Sequence, residues 1–311
     1  MNINSVARLL AFILLFVALL MGLPTGLSFY YGETGAQTAF IITLALMVVS
    51  SLITIVITGR KHQELKIGPK ESYLFVTLTW VLISAFGALP LLLDRVFPSF
   101  SAAYFEIMSG FTTTGATALN EIESVHKSIL FWRNMTNWLG GMGIVVLFVA
   151  VLPAFGVKGT ALVGAESVGP TKDKLTPQIQ QTAIVLWSIY FGLSVLETGI
   201  LLLTGLDLFN AVTVTFGTMG AAGFTPTNLS IASYHSSTVE WICIVFMFLS
   251  GANFALYFRI LKGQIKRVVH DGELRLYFYI VLTASLSIAL NLFLQAGLAA
   301  SESLRRAFFQ V

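Results

Sequence analysis

Two short strings centred on glycine interrupt the long apolar runs of this chain, and they resemble each other. The first is Phe111-Thr112-Thr113-Thr114-Gly115-Ala116-Thr117, and the second is Met219-Gly220-Ala221-Ala222-Gly223-Phe224-Thr225. Their central glycines lie 108 residues apart. Glycine tolerates positive φ, so a loop around it can turn successive carbonyls toward one axis. Irregular backbone at membrane depth is tolerated only where it is buried in protein or lines water. The strings therefore predict two re-entrant pore loops.

The composition places the surrounding runs in a membrane. Of the 311 residues, 56% are hydrophobic and 11% are charged, and the mean hydropathy is +0.83. A soluble domain averages about 25% charged residues, so a soluble fold is excluded. The single cysteine, Cys243, excludes an internal disulfide and a cysteine-based metal cluster. The formal charge of +3 gives no indication of a nucleic-acid partner.

Seven apolar runs are long enough to cross a bilayer, which takes roughly 20 helical residues. The predicted membrane helices are 5–23, 37–58, 73–93, 130–152, 182–204, 239–261 and 274–296. The first run resembles a signal peptide but has no cleavage motif, so we interpret it as a retained helix. Two shorter segments, 102–111 and 210–218, lead into the glycine strings. We predict short pore helices there, with their negative dipole ends facing a cation.

These segments form a repeat of helix, pore loop and helix. The predicted fold class is an all-α integral membrane protein with two extra N-terminal helices, two complete repeats and a third begun. The expected divisions are the N-terminal helices 1–60, the first repeat 61–153, a cytoplasmic linker 154–178, the second repeat 179–262 and the start of the third repeat 263–311. Successive repeats share one orientation, which argues against an inverted-repeat carrier.

The distribution of basic residues predicts how the chain is oriented. With the N-terminus in the cytoplasm, 13 of the 18 Lys and Arg residues fall on the cytoplasmic side, in agreement with the positive-inside rule. Both glycine strings then face the outside. The basic loops 59–72 and 259–275 face the cytoplasm. They are expected either to contact anionic lipid headgroups or to dock a regulatory partner, and the sequence leaves both open.

The candidate ion-binding groups are backbone carbonyls of the two strings, because carbonyl rings can replace the hydration shell of K⁺. The candidates are Thr113, Thr114, Gly115, Ala116 and Thr117 in the first string, and Ala221, Ala222, Gly223, Phe224 and Thr225 in the second. Ordinary helix-connecting turns are the alternative. Gly140, Gly141 and Gly143 could form a hinge, although close helix packing is favoured. Asn253, together with the small residues 250–252, interrupts the predicted helix 239–261 near its cytoplasmic end, and it could line the pathway or bind a neighbouring helix.

Ionisable residues at membrane depth are costly and therefore informative. Glu106 and Glu197 could concentrate cations near the mouth, and for Glu106 a structural ion pair with Arg133 is favoured. Exposed loop positions are expected for Glu121, Glu123 and Asp207. The histidines without metal-ligand spacing are His62, His126, His235 and His270. We find no nucleophile–base set or nucleotide-binding motif, so we expect neither an enzyme nor a resident cofactor.

At these positions the chain resembles the Trk/Ktr/HKT superfamily of cation transporters, most closely its TrkH-type branch. The segment 112–117 is similar to that family's first filter, 138–147 to the helix after it, and 169–177 to its cytoplasmic link between repeats. The resemblance implies the channel subunit of a bacterial inner-membrane potassium uptake system, with K⁺ passing a glycine-lined filter. It also implies a TrkA-like cytoplasmic nucleotide-binding ring as partner, and a homodimer surrounded by lipid.

The chain departs from that family pattern, in which four repeats surround one pore. It ends within the third repeat, in a pore helix that we expect to begin at Ser303, and before a third glycine string. An interrupted gene is the favoured hypothesis, and a half-subunit completed by another chain is the alternative. A truncated fragment that does not conduct and a Na⁺/K⁺ symporter-like relative are the alternative functions. The resemblance implies that Gly115, where some relatives have serine, favours potassium over sodium.

Overall fold

The computed structural model describes residues 3–59, 69–143 and 179–311, and regular structure within these ranges is helical. Two short 3₁₀ turns, Ile122–Ser124 and Ser230–Tyr234, follow the glycine strings. The α-helices in chain order are α1 (Ile3–Tyr31), α2 (Thr34–Gly59), α3 (Pro69–Gly87), α4 (Leu89–Leu93), α5 (Phe100–Phe111), α6 (Lys127–Gly141), α7 (Ile179–Leu203), α8 (Leu208–Met219), α9 (Ser237–Gly251), α10 (Phe254–Leu261), α11 (Ile265–Val269), α12 (Gly272–Ala296) and α13 (Ala300–Gln310).

Five helical segments of the described chain are long and apolar enough to cross a membrane. They are α1, α2, α3 with α4, α7 and α12, and they correspond to five of the seven predicted membrane helices. A sixth, predicted at 130–152, is described as far as Gly143, and its helix α6 ends at Gly141. Residues 144–152 and the predicted linker 154–178 lie outside the described residues. The prediction of an all-α membrane protein is confirmed.

The predicted span 239–261 is broken into two helices at its interruption by Asn253. Helix α9 ends at Gly251, α10 begins at Phe254, and the two helices meet at 92°. The side-chain oxygen of Asn253 accepts a hydrogen bond from the Ala255 amide at 3.0 Å and caps α10. Such a cap satisfies an amide that a new helix start leaves unpaired. The sequence indicates the interruption, whereas the angle between the two helices is seen only in the structure.

The two N-terminal helices form a hairpin that packs against the first repeat. Gly32, at φ +69°, makes the turn between α1 and α2. Helix α1 then contacts α2, α3 and α6. Beside the turn, the Glu33 carboxylate accepts hydrogen bonds from the amides of Lys127 and Ser128 at 2.8 and 3.1 Å. Glu33 thereby caps the N-terminus of α6, where the helix dipole favours a negative charge.

The pore helices α5 and α8 are equal in length. Their starting residues are as far apart in sequence as the two central glycines are. Each begins two residues earlier than predicted, and both predicted helices are confirmed. The Ser99 hydroxyl caps α5 by accepting from the Ala102 amide at 3.3 Å. The Asp207 carboxylate caps α8 by accepting from the Asn210 amide at 3.4 Å. Matching caps therefore start the two helices at matching positions.

A third short helix, α13, follows α12 where the sequence predicts a third pore helix from Ser303. It begins three residues earlier, at Ala300. Its Arg305 forms an ion pair with Glu240 of α9, with 3.1 Å between Nε and Oε2. This pair docks the start of the third repeat on the second repeat.

Aromatic side chains join α6 to the second repeat. Trp138 stacks on Tyr190 of α7, with 5.6 Å between ring centroids, and packs on Phe216 of α8 at 5.4 Å. The Trp138 indole donates to Ser194 Oγ at 2.8 Å, and the Tyr190 hydroxyl donates to the Trp138 carbonyl at 2.9 Å. Helix α6 of the first repeat therefore also packs against the helices of the second repeat.

Candidate functional site: the paired glycine loops

The first pore helix ends in a tight turn with two positive φ angles. Thr113 has φ +53° and Gly115 has φ +72°. The amides of Thr113 and Thr114 donate to the carbonyls of Gly110 and Ser109, both at 2.9 Å. Positive φ is uncommon outside glycine, and at Thr113 the hydrogen bonds of the turn hold it in place. The first glycine string is therefore a defined loop and not a simple helix end.

The second pore helix ends in the same turn at the same sequence offset. Ala221 has φ +48° and Gly223 has φ +86°. The amides of Ala221 and Ala222 donate to the carbonyls of Thr218 and Gly217 at 2.9 and 3.2 Å. Matching positions thus adopt matching torsions and hydrogen bonds. The similarity of the two strings reflects one loop geometry used twice.

The two loops touch each other through their backbones. A Cβ atom built on Gly115 would lie 1.6 Å from the carbonyl oxygen of Ala222. Any side chain at position 115 would overlap that oxygen, so only glycine fits this contact. Beside the contact, Thr114 and Gly223 are exposed. The structure therefore brings the two predicted ion-binding strings together.

A buried ion pair between α5 and α6 contacts the end of the first loop. Glu106 of α5 and Arg133 of α6 approach to 2.7 Å between Oε1 and Nε, and their side chains are 0% and 2% exposed. Glu106 also accepts hydrogen bonds from the Thr117 hydroxyl at 2.8 Å and the Ala118 amide at 2.7 Å. The ion pair favoured from the sequence is present. The alternative of an exposed, cation-attracting Glu106 is wrong, because the carboxylate is fully enclosed by its partners.

Arg133 extends this brace to the second loop. Its guanidinium donates to the Thr225 carbonyl at 3.2 Å and lies 3.6 Å from the centroid of the Phe224 ring. Such a close cation–π contact is favourable where water is excluded. Phe224 and Thr225 are both buried. These two members of the predicted second string therefore anchor the loop, and the carbonyl of Thr225 is directed at Arg133.

Asn137 of α6 supplies a second cross-link between the loops. With its amide assigned from the hydrogen-bond pattern, the nitrogen donates to the Gly110 carbonyl at 3.1 Å and the oxygen accepts from the Phe224 amide at 3.2 Å. The side chain is fully buried. The sequence reasoning missed this residue. The feature of the sequence that could have identified Asn137 is its polar side chain within an apolar run, because polar side chains at membrane depth are usually paired or functional.

The glycines at the end of α6 pack against the ends of both pore helices. A Cβ on Gly140 would lie 2.1 Å from the Phe111 carbonyl oxygen, and one on Gly141 would lie 2.7 Å from Gly220 Cα. These approaches support the packing role over the hinge role. Gly143, at φ +73°, is the last described residue of this segment.

The other candidate residues have partners of their own. Asn253 caps α10, and its amide nitrogen lies 3.4 Å from the Glu273 carboxylate of α12, which supports the interpretation that it binds a neighbouring helix. His126 is hydrogen-bonded to Asp94 at 2.6 Å. No group of three or more metal-ligating side chains occurs in the part of the chain that the structure describes. His62 lies outside that part.

The connections that follow the two loops also bind each other. The Ile122 amide donates to Asn228 Oδ1 at 2.8 Å, and the Asn228 amide donates to Glu123 Oε1 at 3.2 Å. The residues expected to be exposed, Glu121, Glu123 and Asp207, are exposed. The loop pair is thus held from the connecting segments as well as from α6.

Glu197 of α7 is the second buried glutamate near the loops. Its side chain is fully buried, and within the described ranges neither carboxyl oxygen has a hydrogen-bond partner. Among the described residues the Glu197 carboxyl is therefore enclosed by protein and does not face a solvent-exposed mouth.

The fold and the paired loops define a class of membrane protein built from repeats of helix, pore loop and helix. Residues 38–300 match the family described as TrkH, cation transport protein. The chain belongs to the TrkH family, and it is a multi-pass protein of the bacterial inner membrane.

Individual relatives agree with this assignment. The chain is 36% identical over its whole length to the Trk system potassium uptake protein TrkH of Salmonella typhimurium, and 34% identical to that of Halomonas elongata. It covers 65% and 64% of those two proteins. The crystal structure of the potassium transporter TrkH from Vibrio parahaemolyticus is similar, with a TM-score of 0.84 and 29% identity. That comparison covers all of this chain and 64% of the other.

Proposed function

We propose that this chain lines a potassium uptake pathway across the inner membrane, as part of the channel-forming subunit of a Trk system. The observation that carries the proposal is the backbone contact between Gly115 and Ala222. Two loops of one geometry, each at the C-terminal end of a pore helix, meet there. A cation that sheds its hydration shell needs backbone carbonyl oxygens in place of the water, and these loops can provide them. The names of the relatives support potassium as the ion.

In this proposal the ion meets carbonyl groups of the segments 113–117 and 221–225, and Thr225 fixes the second segment to Arg133. The C-terminal ends of α5 and α8 lead into the loops, so both helix dipoles favour a cation there. The membrane potential supplies about 2.3 kcal/mol per charge per 100 mV. Inward K⁺ movement therefore requires no enzyme activity and no resident cofactor in this chain.

The proposal places the N-terminus in the cytoplasm and both loops toward the outside, as the bias of basic residues supports. The relatives are named as parts of a Trk system, which supports further subunits. We assign a TrkA-like nucleotide-binding ring to the cytoplasmic face, and a homodimer to the membrane. Co-purification with such a ring, followed by measurement of the particle mass, tests both assignments. A monomeric particle that binds no ring contradicts them.

Growth of a bacterial strain without potassium uptake tests the transport function. The chain is expressed in that strain, and its presence in the membrane is checked with a terminal tag. Growth on limiting potassium, above that of the empty vector, supports the proposal. If the tagged chain reaches the membrane and growth equals that of the vector, uptake by this chain alone is contradicted, as expected of the non-conducting alternative.

Ion selectivity tests the assignment of the loops. Gly115→Ser places a side chain against the Ala222 carbonyl, whereas Ala116→Ser adds the same hydroxyl at an exposed neighbouring position. Gly115→Ser should lower the K⁺/Na⁺ flux ratio at least about tenfold, which corresponds to about 1.4 kcal/mol, and Ala116→Ser should change it little. An unchanged ratio in Gly115→Ser rejects the loop assignment. Equal Na⁺ and K⁺ flux in the parent chain favours the Na⁺/K⁺ symporter-like alternative.

A further inference from the structure

Glu197 has no part in the proposed ion pathway, yet its position is strongly constrained. It lies on the inward face of α7, and its side chain is 0% exposed. The other buried residues on this face are Ala183, Trp187, Tyr190, Ser194 and Leu201. A carboxyl group in the middle of such a face needs either a countercharge or a proton.

The groups around Glu197 supply no countercharge within the described ranges. Thr218 in the last turn of α8 faces the carboxyl, but its hydroxyl donates to the Val214 carbonyl at 3.0 Å. The titratable groups that face it are Tyr190 of the same helix and Cys243 of α9. Both side chains are uncharged at neutral pH.

The charged residues of the helices that pack on α7 are engaged elsewhere. In α6, Arg133 pairs with Glu106, and Lys127 lies over the rings of Tyr31 and Phe209. Helix α8 contains no charged residue. In α9, Glu240 pairs with Arg305 at 3.1 Å, and in α10, Arg259 pairs with Asp271 at 3.5 Å. Glu197 therefore differs from Glu106, which is equally buried but has the guanidinium of Arg133 beside it.

An ionised carboxylate is disfavoured at this place for two reasons. A buried carboxylate without partners is so costly that the group takes up a proton instead. In addition, Thr218 belongs to the C-terminal turn of α8, which is the negative end of that helix dipole. Both effects act in the same direction and favour the neutral acid.

We propose that Glu197 is a proton-binding site behind the second glycine loop, occupied at neutral pH. The neutral carboxyl packs beside Thr218, whose carbonyl accepts the Ala221 amide of the loop at 2.9 Å. Transfer of the proton to solvent leaves a carboxylate against the end of α8, and repulsion displaces the turn that begins the loop. The effect on ion flux rests on the proposed function, whereas the proton site does not.

Infrared spectroscopy of the full chain in lipid vesicles tests the proton site. At neutral pH the parent chain should show a carboxylic acid C=O band that Glu197→Gln removes. Glu240→Gln is the matched control, because Glu240 forms an ion pair with Arg305, and this variant should keep the band. If Glu197→Gln does not fold, Glu197→Asp should shift the band instead. Absence of the band in the parent chain, or an unchanged band in the Glu197 variants, overturns the proposal.

Rubidium uptake by the same vesicles, followed from acid to alkaline pH, tests the coupling to the loop. Uptake by the parent chain should fall at alkaline pH as the carboxyl ionises, and uptake by Glu197→Gln should stay constant. A parent profile that does not change with pH, or an equal fall in both proteins, overturns the coupling. If no protein takes up rubidium, the proposed function fails, and the infrared band still decides whether Glu197 binds a proton.

Discussion

The two glycine loops share a backbone geometry but have different surroundings. Gly115 in the first loop contacts the Ala222 carbonyl, and Glu106 holds the residues that follow. At Gly223 in the second loop, no heavy atom of the described chain lies within 4 Å of a built Cβ. Val214 occupies the position in α8 that Glu106 occupies in α5. The same motif is therefore enclosed in one repeat and partly open in the other.

This difference separates what a loop sequence encodes from what its neighbours supply. The positive φ angles and the turn hydrogen bonds occur in both loops, so they are local properties. The fixed position of the loops depends on Arg133 and Asn137, and both residues belong to α6. The second loop is therefore held by side chains of the first repeat. Substitutions at corresponding positions should have unequal effects.

The largest effect is expected for Arg133→Leu. It leaves Glu106 buried without its countercharge and removes a hydrogen bond to the Thr225 carbonyl, so it should cost about 3–5 kcal/mol of unfolding free energy. Denaturant unfolding in detergent measures this cost. Arg305→Leu, which breaks a partly exposed ion pair, is the control and should cost less than about 1 kcal/mol. Equal costs would show that the buried pair does not brace the loops.

Gly115→Ala is expected to have the next largest effect. The new methyl group overlaps the Ala222 carbonyl, and the residue must also keep a positive φ. Overpacking and backbone strain together should cost about 2–4 kcal/mol, and K⁺ uptake should fall strongly but remain measurable. Unfolding and uptake measured on the same preparation check both effects. Normal uptake in this variant would contradict the close contact of the two loops.

A smaller effect is expected for Asn137→Leu. The substitution leaves the Phe224 amide without its partner and removes one of the two hydrogen bonds to the Gly110 carbonyl, which keeps the Thr113 amide. The expected cost is about 1–3 kcal/mol. Asn134→Leu is the matched control, because Asn134 is equally buried but its amide has no hydrogen-bond partner among the described residues. That control should be nearly neutral or stabilising. The same loss in both variants would remove Asn137 from the set of loop anchors.

The smallest effect is expected for Gly223→Ala. The methyl group meets open space, so only the positive φ is unfavourable, at roughly 1–2 kcal/mol. K⁺ uptake should be reduced but still measurable. The comparison of the loops depends on this variant being milder than Gly115→Ala in both unfolding and uptake. A Gly223→Ala protein as impaired as Gly115→Ala would show that the two loops are equally enclosed.

Much of the fold follows from the sequence, because apolar length and local caps act over short distances. The repeated glycine strings located both pore helices to within two residues. The pairing of Glu106 with Arg133 could also be predicted, since two opposite charges at membrane depth usually pair with each other. The interruption at Asn253 was also visible, but the angle of 92° between α9 and α10 was not, because it depends on how the two helices pack.

The contacts of the site required the structure. Arg133 reaches a carbonyl 92 residues away in sequence, and its target is a backbone oxygen that any residue type could provide. The same holds for Asn137, which binds one carbonyl and one amide. Sequence patterns identify side chains, whereas these contacts depend on where two backbones are placed by packing.

The cap that Glu33 places on α6 has a consequence for assembly. Glu33 and Lys127 are separated by 94 residues, and during synthesis the N-terminal part of a chain folds first. The hairpin of α1 and α2 is therefore complete before α6 leaves the ribosome, and it offers a waiting acceptor for the first amides of that helix. The N-terminal hairpin thus gives α6 a preformed surface to pack against and a cap for its first amides.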